Sequence, residues 1–407
     1  MTTYNDLLSV ENKGEVTIEN FNRSRVEYLL EWTTVIVPVL ELLSGTAKLP
    51  KNQTDGSGFL EFIQRSLSEY CHLVKNLHPS VMNEDATKTI SFLTDSIVSS
   101  VQSFLQGDPH ESYSTLADCL KSIASMINNS SEAFTNNIRT LYKMRTGGNT
   151  SYSSDEMFHI PFEKRGLVKT NRYSIPGFPC VYLGSSPLIC WEELGRPDLN
   201  TVQTSLFVTK ENVNYIDLST NPAFVYDHIK NFYIKNFGNQ SGTDSYHLTI
   251  NEYLKIWHLI FSCSIRVKHV NDTFKPEYIF PQMLLQWVSK NNYDGIAYFS
   301  TKIDNYSLMN NWIYKNYAFP VKSSEAAGTG TILRSKFEMI SAGVPWQIYR
   351  FYRDNKPEFT VPYDGGMETN LNLYSEVPSR YAETDFGRLQ EFFNRIFHGN
   401  SVCFREE

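Results

Sequence analysis

Six cysteines in 407 residues, at positions 71, 119, 180, 190, 263 and 403, form no CxxC pair and no Cys/His zinc spacing. A disulfide framework and a structural zinc are therefore not expected, and reduced thiols in a cytosol are the simplest account. Also absent are GxGxxG after a strand, GxxxxGK[ST], HExxH, GxSxG and an EF-hand loop, which removes the usual grounds for Rossmann dehydrogenases, P-loop NTPases, zincins and α/β-hydrolases. The run Gly328-Thr329-Gly330 lacks a third glycine and a lysine and reads as a loop. Positive charge is not in excess: 37 Lys and Arg stand against 44 Asp and Glu, a net charge of -7. Bulk attraction to nucleic acid or anionic lipid is excluded, so an anionic ligand has to be met by a local cluster of cations. Long apolar runs are missing too. The most apolar early stretch, Val26 to Leu43, carries Glu27, Glu31, Glu41 and Pro38, which is too polar to span a bilayer. The opening MTTYNDLLSVENKGE has neither the basic nor the apolar region of a signal peptide. These absences lead to the expectation of a cytoplasmic protein with no nucleic-acid and no membrane partner.

What is present is a folded chain long enough for roughly two to three domains, with 41% hydrophobic, 14% aromatic and 20% charged residues. Up to about residue 145 the apolar period is helical. Val26, Leu29, Ile36, Val37 and Leu40 form one stripe; Leu60, Ile63, Leu67, Tyr70, Val74 and Leu77 a second; Ile90, Leu93, Ile97, Val101 and Phe104 a third. A fourth runs through Leu116, Leu120, Ile123 and Ile127 into Phe134, Ile138 and Leu141. The spacing predicts an all-α bundle of about four helices over residues 1–148. With twelve Lys and Arg against seventeen Asp and Glu in the first 150 residues, it is not a nucleic-acid module.

Arg145 to Asp155, RTGGNTSYSSD, has linker composition. Beyond it, short β-rich runs at Cys180–Leu183, Thr204–Val208, Tyr215–Leu218 and Gly295–Phe299 alternate with helical stretches from Thr249 and over about Glu277 to Lys290. The fold class expected is α+β, with the helical bundle followed by a mixed α/β domain over 149–407. The tail, with Phe359, Tyr363 and the run Leu389 to Phe397, is expected to pack on that domain.

The chemically informative segment is Met157 to Asp198. Lys164, Arg165, Lys169 and Arg172 place four cations within nine residues. Such a run by itself reads as a solvated basic edge, but arginine also grips phosphate through two parallel hydrogen bonds. After it come Pro176-Gly177, Tyr182-Leu183 and then Glu193, eleven residues past Tyr182. Further on, NYDGIAYFS supplies Asp294, Ile296, Tyr298 and Ser300, and NYAFP supplies Asn316. In order and spacing this pattern resembles the RES family of NAD-degrading toxins across about residues 156 to 350. Ser174 stands where that family has an asparagine, and His159 where its shorter members have an arginine.

The resemblance implies an ADP-ribosyltransferase-like fold and conversion of NAD+ and inorganic phosphate to nicotinamide and ADP-ribose 1''-phosphate, with NAD+ and phosphate as substrates and neither cofactor nor metal. It implies Arg172, Glu193 and Ser300 as catalytic residues, with Tyr182, Lys164, Arg165, Asn316 and His159 binding substrate. Its nearest alternatives are an NAD glycohydrolase or an ADP-ribosyltransferase. From another class, the chain is a partner-sensing interaction protein with a degenerate RES domain. In either case the N-terminal bundle is expected to regulate or to bind an antitoxin or trigger protein. The chemistry is coherent from below. Nicotinamide is cationic in NAD+ and leaves neutral, so no general acid is needed, unlike ordinary glycoside cleavage with its two carboxylates. One carboxylate then suffices to stabilise an oxocarbenium-like ribose. Glu192 and Glu193 diverge along any regular backbone, so only one of them is expected to reach the pocket, and spacing favours Glu193.

Overall fold

The computed structural model describes residues 18–53, 56–127, 140–147, 150–211, 213–237, 243–269, 271–354, 370–374 and 377–403. Phe134 and Ile138 of the fourth stripe, the boundary at residue 148, and Phe359 and Tyr363 of the tail lie outside the described residues. The architecture is mixed α/β. Helices α1 (Ile18–Glu31), α2 (Val37–Ser44), α3 (Phe59–Val74), α4 (Glu84–Leu105) and α5 (Pro109–Ser122) come first. Their starts follow from local chemistry: Asn83 accepts from the Ala86 N–H to cap α4, and Asp108 accepts from Glu111 with Pro109 in the first turn of α5. Next come β1 (Thr140–Thr146), α6 (Ser154–Met157), β2 (Cys180–Gly184), α7 (Pro187–Glu193), β3 (Val202–Thr209), β4 (Tyr215–Leu218), α8 (Pro222–Lys235) and α9 (Thr243–Cys263). The remainder is α10 (Ile279–Lys290), β5 (Gly295–Phe299), β6 (Lys315–Pro320), α11 (Thr331–Arg334), β7 (Phe337–Ile340), β8 (Val344–Pro345), α12 (Trp346–Asp354), β9 (Asn370–Tyr374), β10 (Val377–Arg380) and α13 (Asp385–Cys403).

Eight strands form one sheet in the order β4-β5-β6-β2-β1-β3-β7, with β8 also on β3. The β4–β5 pair is parallel and the other pairs are antiparallel. The four expected β-rich runs fall within β2, β3, β4 and β5. The segment at Leu141 departs from expectation, because the fourth helical stripe does not continue through it: Thr140–Thr146 is an inner strand between β2 and β3. Its register pairs Leu141 with Phe207 and Tyr142 with Leu206. Consecutive residues of a strand face opposite ways, and Leu141 and Phe207 accordingly join one core cluster while Tyr142 and Leu206 join the other.

Both faces of the sheet are buried. Leu141, Val181, Leu183, Phe207, Ala297, Tyr317 and Phe319 are covered by Phe158, Phe162, Leu333 and Phe337. The opposite face, with Tyr142, Leu206, Ile296 and Ala318, opens into a cluster that runs without interruption into the N-terminal helices. The stripe of α3 is closed by α9: the Tyr70 ring stacks on Trp257 with centroids 3.9 Å apart, and its hydroxyl donates to the Leu254 carbonyl at 2.7 Å. Trp257 donates to the Ala47 carbonyl at 2.8 Å, and Asn251 to that of Val81 at 2.6 Å. The N-terminal helices, read from their stripes as an all-α bundle, thus share one core with the sheet and α9.

Candidate active site

Glu193 ends α7, a helix whose limits are written locally. Ser186 caps its start by accepting from the Ile189 N–H, and Pro187 fills the first position. Its end is a Schellman turn: the Gly195 N–H donates to Glu192 and the Arg196 N–H to Trp191, at 3.0 Å each. Gly195 takes the positive φ of 82° that this turn requires. The neighbouring carboxylates then part. Glu192 is buried and takes the Arg196 Nε–H at 2.7 Å, while the Glu193 side chain keeps 36% of its exposure.

Glu193 meets the far ends of two paired strands. Tyr298 of β5 lies opposite Asn316 of β6, and Ser300 follows β5 on the same side. Ser300 Oγ–H donates to Glu193 Oε1 at 2.6 Å, and the Asn316 amide donates to the same oxygen at 2.8 Å. Hydrogen bonds to a charged acceptor contribute about 1.5–3 kcal/mol each, so Oε1 is fixed in place. Oε2 faces Lys302 Nζ at 3.6 Å. Lys302 in turn donates to the carbonyls of Glu193 at 2.7 Å and Glu192 at 3.1 Å, a favourable place for a cation at a helix C-terminus. Ser300 is fully buried and Asn316 nearly so; both act on the carboxylate from behind.

Arg172 sits in a loop closed by a Pro-Gly turn, in which the Phe178 N–H donates to the Ile175 carbonyl at 2.9 Å and Gly177 has a φ of 69°. Its guanidinium donates to the carbonyls of Cys263, Ile265 and Glu277 at 3.2, 3.0 and 3.3 Å and lies over the Tyr278 ring at 5.3 Å. Burial raises the hydroxyls of Tyr278 and Tyr298 above the usual phenol range, and each also feels Glu193 pushing up and Arg172 pulling down. Arg172, Glu193, Tyr278 and Tyr298 therefore share one electrostatic neighbourhood. Glu277, buried behind Arg172, has its carboxyl pushed up by desolvation against the arginine's pull. Tyr182 of β2 points to the same sheet face and donates its hydroxyl to the Tyr173 carbonyl.

No family model matches the chain, and no solved structure matches it. Among curated proteins, the one named "Putative toxin YopC" from Bacillus subtilis (strain 168) is 36% identical over 405 residues, spanning 96% of this chain and 88% of that protein. The chain belongs to the YopC family.

In this YopC-family chain the residues expected to form the site divide into two groups. Glu193, Ser300 and Asn316 are joined by direct hydrogen bonds, with Arg172 and Tyr182 on the same side of the sheet. His159, Lys164 and Arg165 are not brought to them. They accompany Phe158 and Phe162, which cover the opposite face. His159 is buried, donates from Nδ1 to the Ile160 carbonyl at 2.7 Å and accepts the Gly330 N–H on Nε2 at 2.8 Å. Burial keeps it below the ordinary histidine range, as a neutral imidazole suited to those two bonds. Arg165 reaches Ser324 at 3.3 Å, and Lys164 is exposed. Ser174 closes the turn that carries Arg172, donating to the Asn171 carbonyl at 2.9 Å. Three contributors were not singled out for the site by the sequence: Lys302 lies in a turn, and Glu277 and Tyr278 in a short 3-10 helix leading into α10, and all three enter the site only through packing. Among the described residues, no group of His, Cys, Asp or Glu is clustered to hold a metal ion, and no helix is long and apolar enough to cross a membrane.

Proposed function

We propose that the protein is a toxin that cleaves the nicotinamide–ribose bond of NAD+, by phosphorolysis to nicotinamide and ADP-ribose 1''-phosphate. The observation that carries this reading is the carboxylate of Glu193, held through Oε1 by Ser300 and Asn316 on a side chain that stays partly exposed. A single preorganised negative charge is what an oxocarbenium-like ribose needs, and a pyridinium leaving group asks for no acid opposite it. The neighbouring Glu192 is committed to Arg196, in keeping with one working carboxylate. Tyr278 and Tyr298 offer aromatic surface for the nicotinamide ring, and Arg172 offers positive potential for the diphosphate. The RES-like order of Arg172, Glu193, Ser300 and Asn316 supports the same reading, and the name of the Bacillus relative supports its toxin part. The N-terminal helices, where α1 exposes Val26, Leu29 and Leu30, are the part we assign to an antitoxin or trigger protein.

The test is incubation of purified protein with NAD+, with and without inorganic phosphate, and mass identification of products. Phosphate-dependent ADP-ribose phosphate is the expected result. ADP-ribose formed regardless of phosphate indicates a glycohydrolase, modified protein a transferase, and unchanged NAD+ a protein that works by binding alone.

A further inference from the structure

If the acceptor is an anion, it has to approach Glu193 from the open side, and two negative groups a few ångströms apart repel strongly unless a cation lies between them. From its position in the chain, Arg172 was the expected cation. The structure gives its guanidinium another occupation: three carbonyls, from Cys263, Ile265 and Glu277, take three of its five N–H donors, and one face lies on Tyr278. Arg172 braces the wall of the site.

Lys302 is differently placed. An ammonium has three N–H donors. Two of them go to the carbonyls of Glu192 and Glu193, which orient the group, and the Nζ atom stands 3.6 Å from Glu193 Oε2, the oxygen that Ser300 and Asn316 do not bond. The lysine side chain itself is 44% exposed. Its backbone N–H donates to Ser300 Oγ at 3.1 Å, so the residue that fixes Oε1 also fixes the base of Lys302. One donor of an oriented ammonium is thereby directed at the space beside the one carboxylate oxygen that Ser300 and Asn316 leave uncovered.

We propose that Lys302 is the acceptor-binding residue, receiving an oxyanion, inorganic phosphate, beside Glu193 Oε2. This rests on the NAD-cleaving reading above and deepens it. In the step, an oxygen of hydrogen phosphate bonds to the anomeric carbon of the ribose as the carbon–nitrogen bond breaks. The bonding pair returns to the ring nitrogen, which leaves as neutral nicotinamide. The phosphate proton stays on the new monoester and is released to water at neutral pH. Lys302 offsets the repulsion between the entering phosphate and Glu193, and Glu193 faces the positive charge that develops on the sugar.

The experiment measures initial rates with NAD+ and inorganic phosphate varied separately, for wild type, Lys302→Met and Lys302→Arg, with sulfate as a non-reacting competitor. Lys302→Met is expected to raise the KM for phosphate at least tenfold, to leave the KM for NAD+ within about twofold, and to abolish competition by sulfate. Lys302→Arg keeps a donor at the same place and is expected to retain phosphate dependence, which also covers the case in which the methionine variant fails to fold. A fall in kcat with the phosphate KM unchanged in both variants overturns the proposal and leaves Lys302 a support for the carboxylate. Wild-type cleavage of NAD+ that ignores phosphate overturns it while leaving the cleavage reading intact, whereas no cleavage at all removes both.

Discussion

Ser300 and Glu193 form a unit, and a double-mutant cycle measures how closely. Ser300 Oγ lies 2.6 Å from Glu193 Oε1 and is fully buried, so its hydroxyl acts on the carboxylate and has no surface to offer a substrate. Removing a hydrogen bond to a charged acceptor costs about 1.5–3 kcal/mol. Asn316 still holds the same oxygen at 2.8 Å, so Ser300→Ala is expected near the low end, a loss of about tenfold in kcat. Glu193→Gln keeps the shape and removes the charge. A unit charge about 4 Å from a developing positive centre interacts with about 4 kcal/mol at an effective dielectric of 20 and about 1 kcal/mol in water. The partial exposure of the side chain places the site between these limits, so the loss is expected between about fivefold and a thousandfold. Once Glu193→Gln has removed the charge, the serine has none left to orient, and adding Ser300→Ala to that variant should then cost under about twofold. The assay is kcat for nicotinamide release in the four proteins, with near-ultraviolet circular dichroism to confirm folding. If Ser300→Ala costs as much on top of Glu193→Gln as it does in wild type, the two residues act independently and the reasoning from burial is wrong.

His258 is fully buried against Tyr70 and Trp257, and desolvation lowers its pKa to about 3. An unfolded histidine titrates near 6.5, so between about pH 6.5 and 3 the unfolded chain holds the extra proton. Stability from this group is complete above pH 6.5 and falls as pH falls, by about 2 kcal/mol at pH 5; urea midpoints at pH 7 and 5 should show a smaller drop for His258→Leu than for wild type. Trp257→Ala removes the stacking partner of Tyr70 and the donor to Ala47, and is expected to lower stability by about 3–5 kcal/mol in chemical denaturation. His159→Ala, on the far face of the sheet, leaves the Gly330 N–H without its acceptor, so a stability loss of about 1–3 kcal/mol with an unchanged KM for NAD+ is expected from melting and kinetics run in parallel.

Residues near one another in the chain were the readable part of the site. Pro176-Gly177 announces its own turn because a positive φ suits glycine, and the pair Glu192-Glu193 separates on any regular backbone. Lys302 was not legible: its importance comes from a helix end more than a hundred residues earlier in the chain, which no local spacing encodes. His159, Lys164 and Arg165 show the converse, since proximity to Arg172 in sequence did not carry them to the same side of the sheet. The alternation in TLYKMRT was hidden by the helical period preceding it, and only the pairing of β1 with β3 fixes which residue faces which way. The N-terminal stripes said that one flank of each helix is covered. They did not say that Tyr70 would be covered by Trp257.

Helix α9 carries two loads at once. Along its length it is the post to which the first third of the chain is fastened, through Leu254, Trp257 and Asn251; at its C-terminal end the carbonyls of Cys263 and, just beyond, Ile265 hold the guanidinium of Arg172. The part of the chain that looks dispensable for chemistry therefore bears on the placement of Arg172 in the candidate site. The two halves are not interchangeable modules, and a fragment beginning after the N-terminal helices would inherit the motif residues without the frame that aims them.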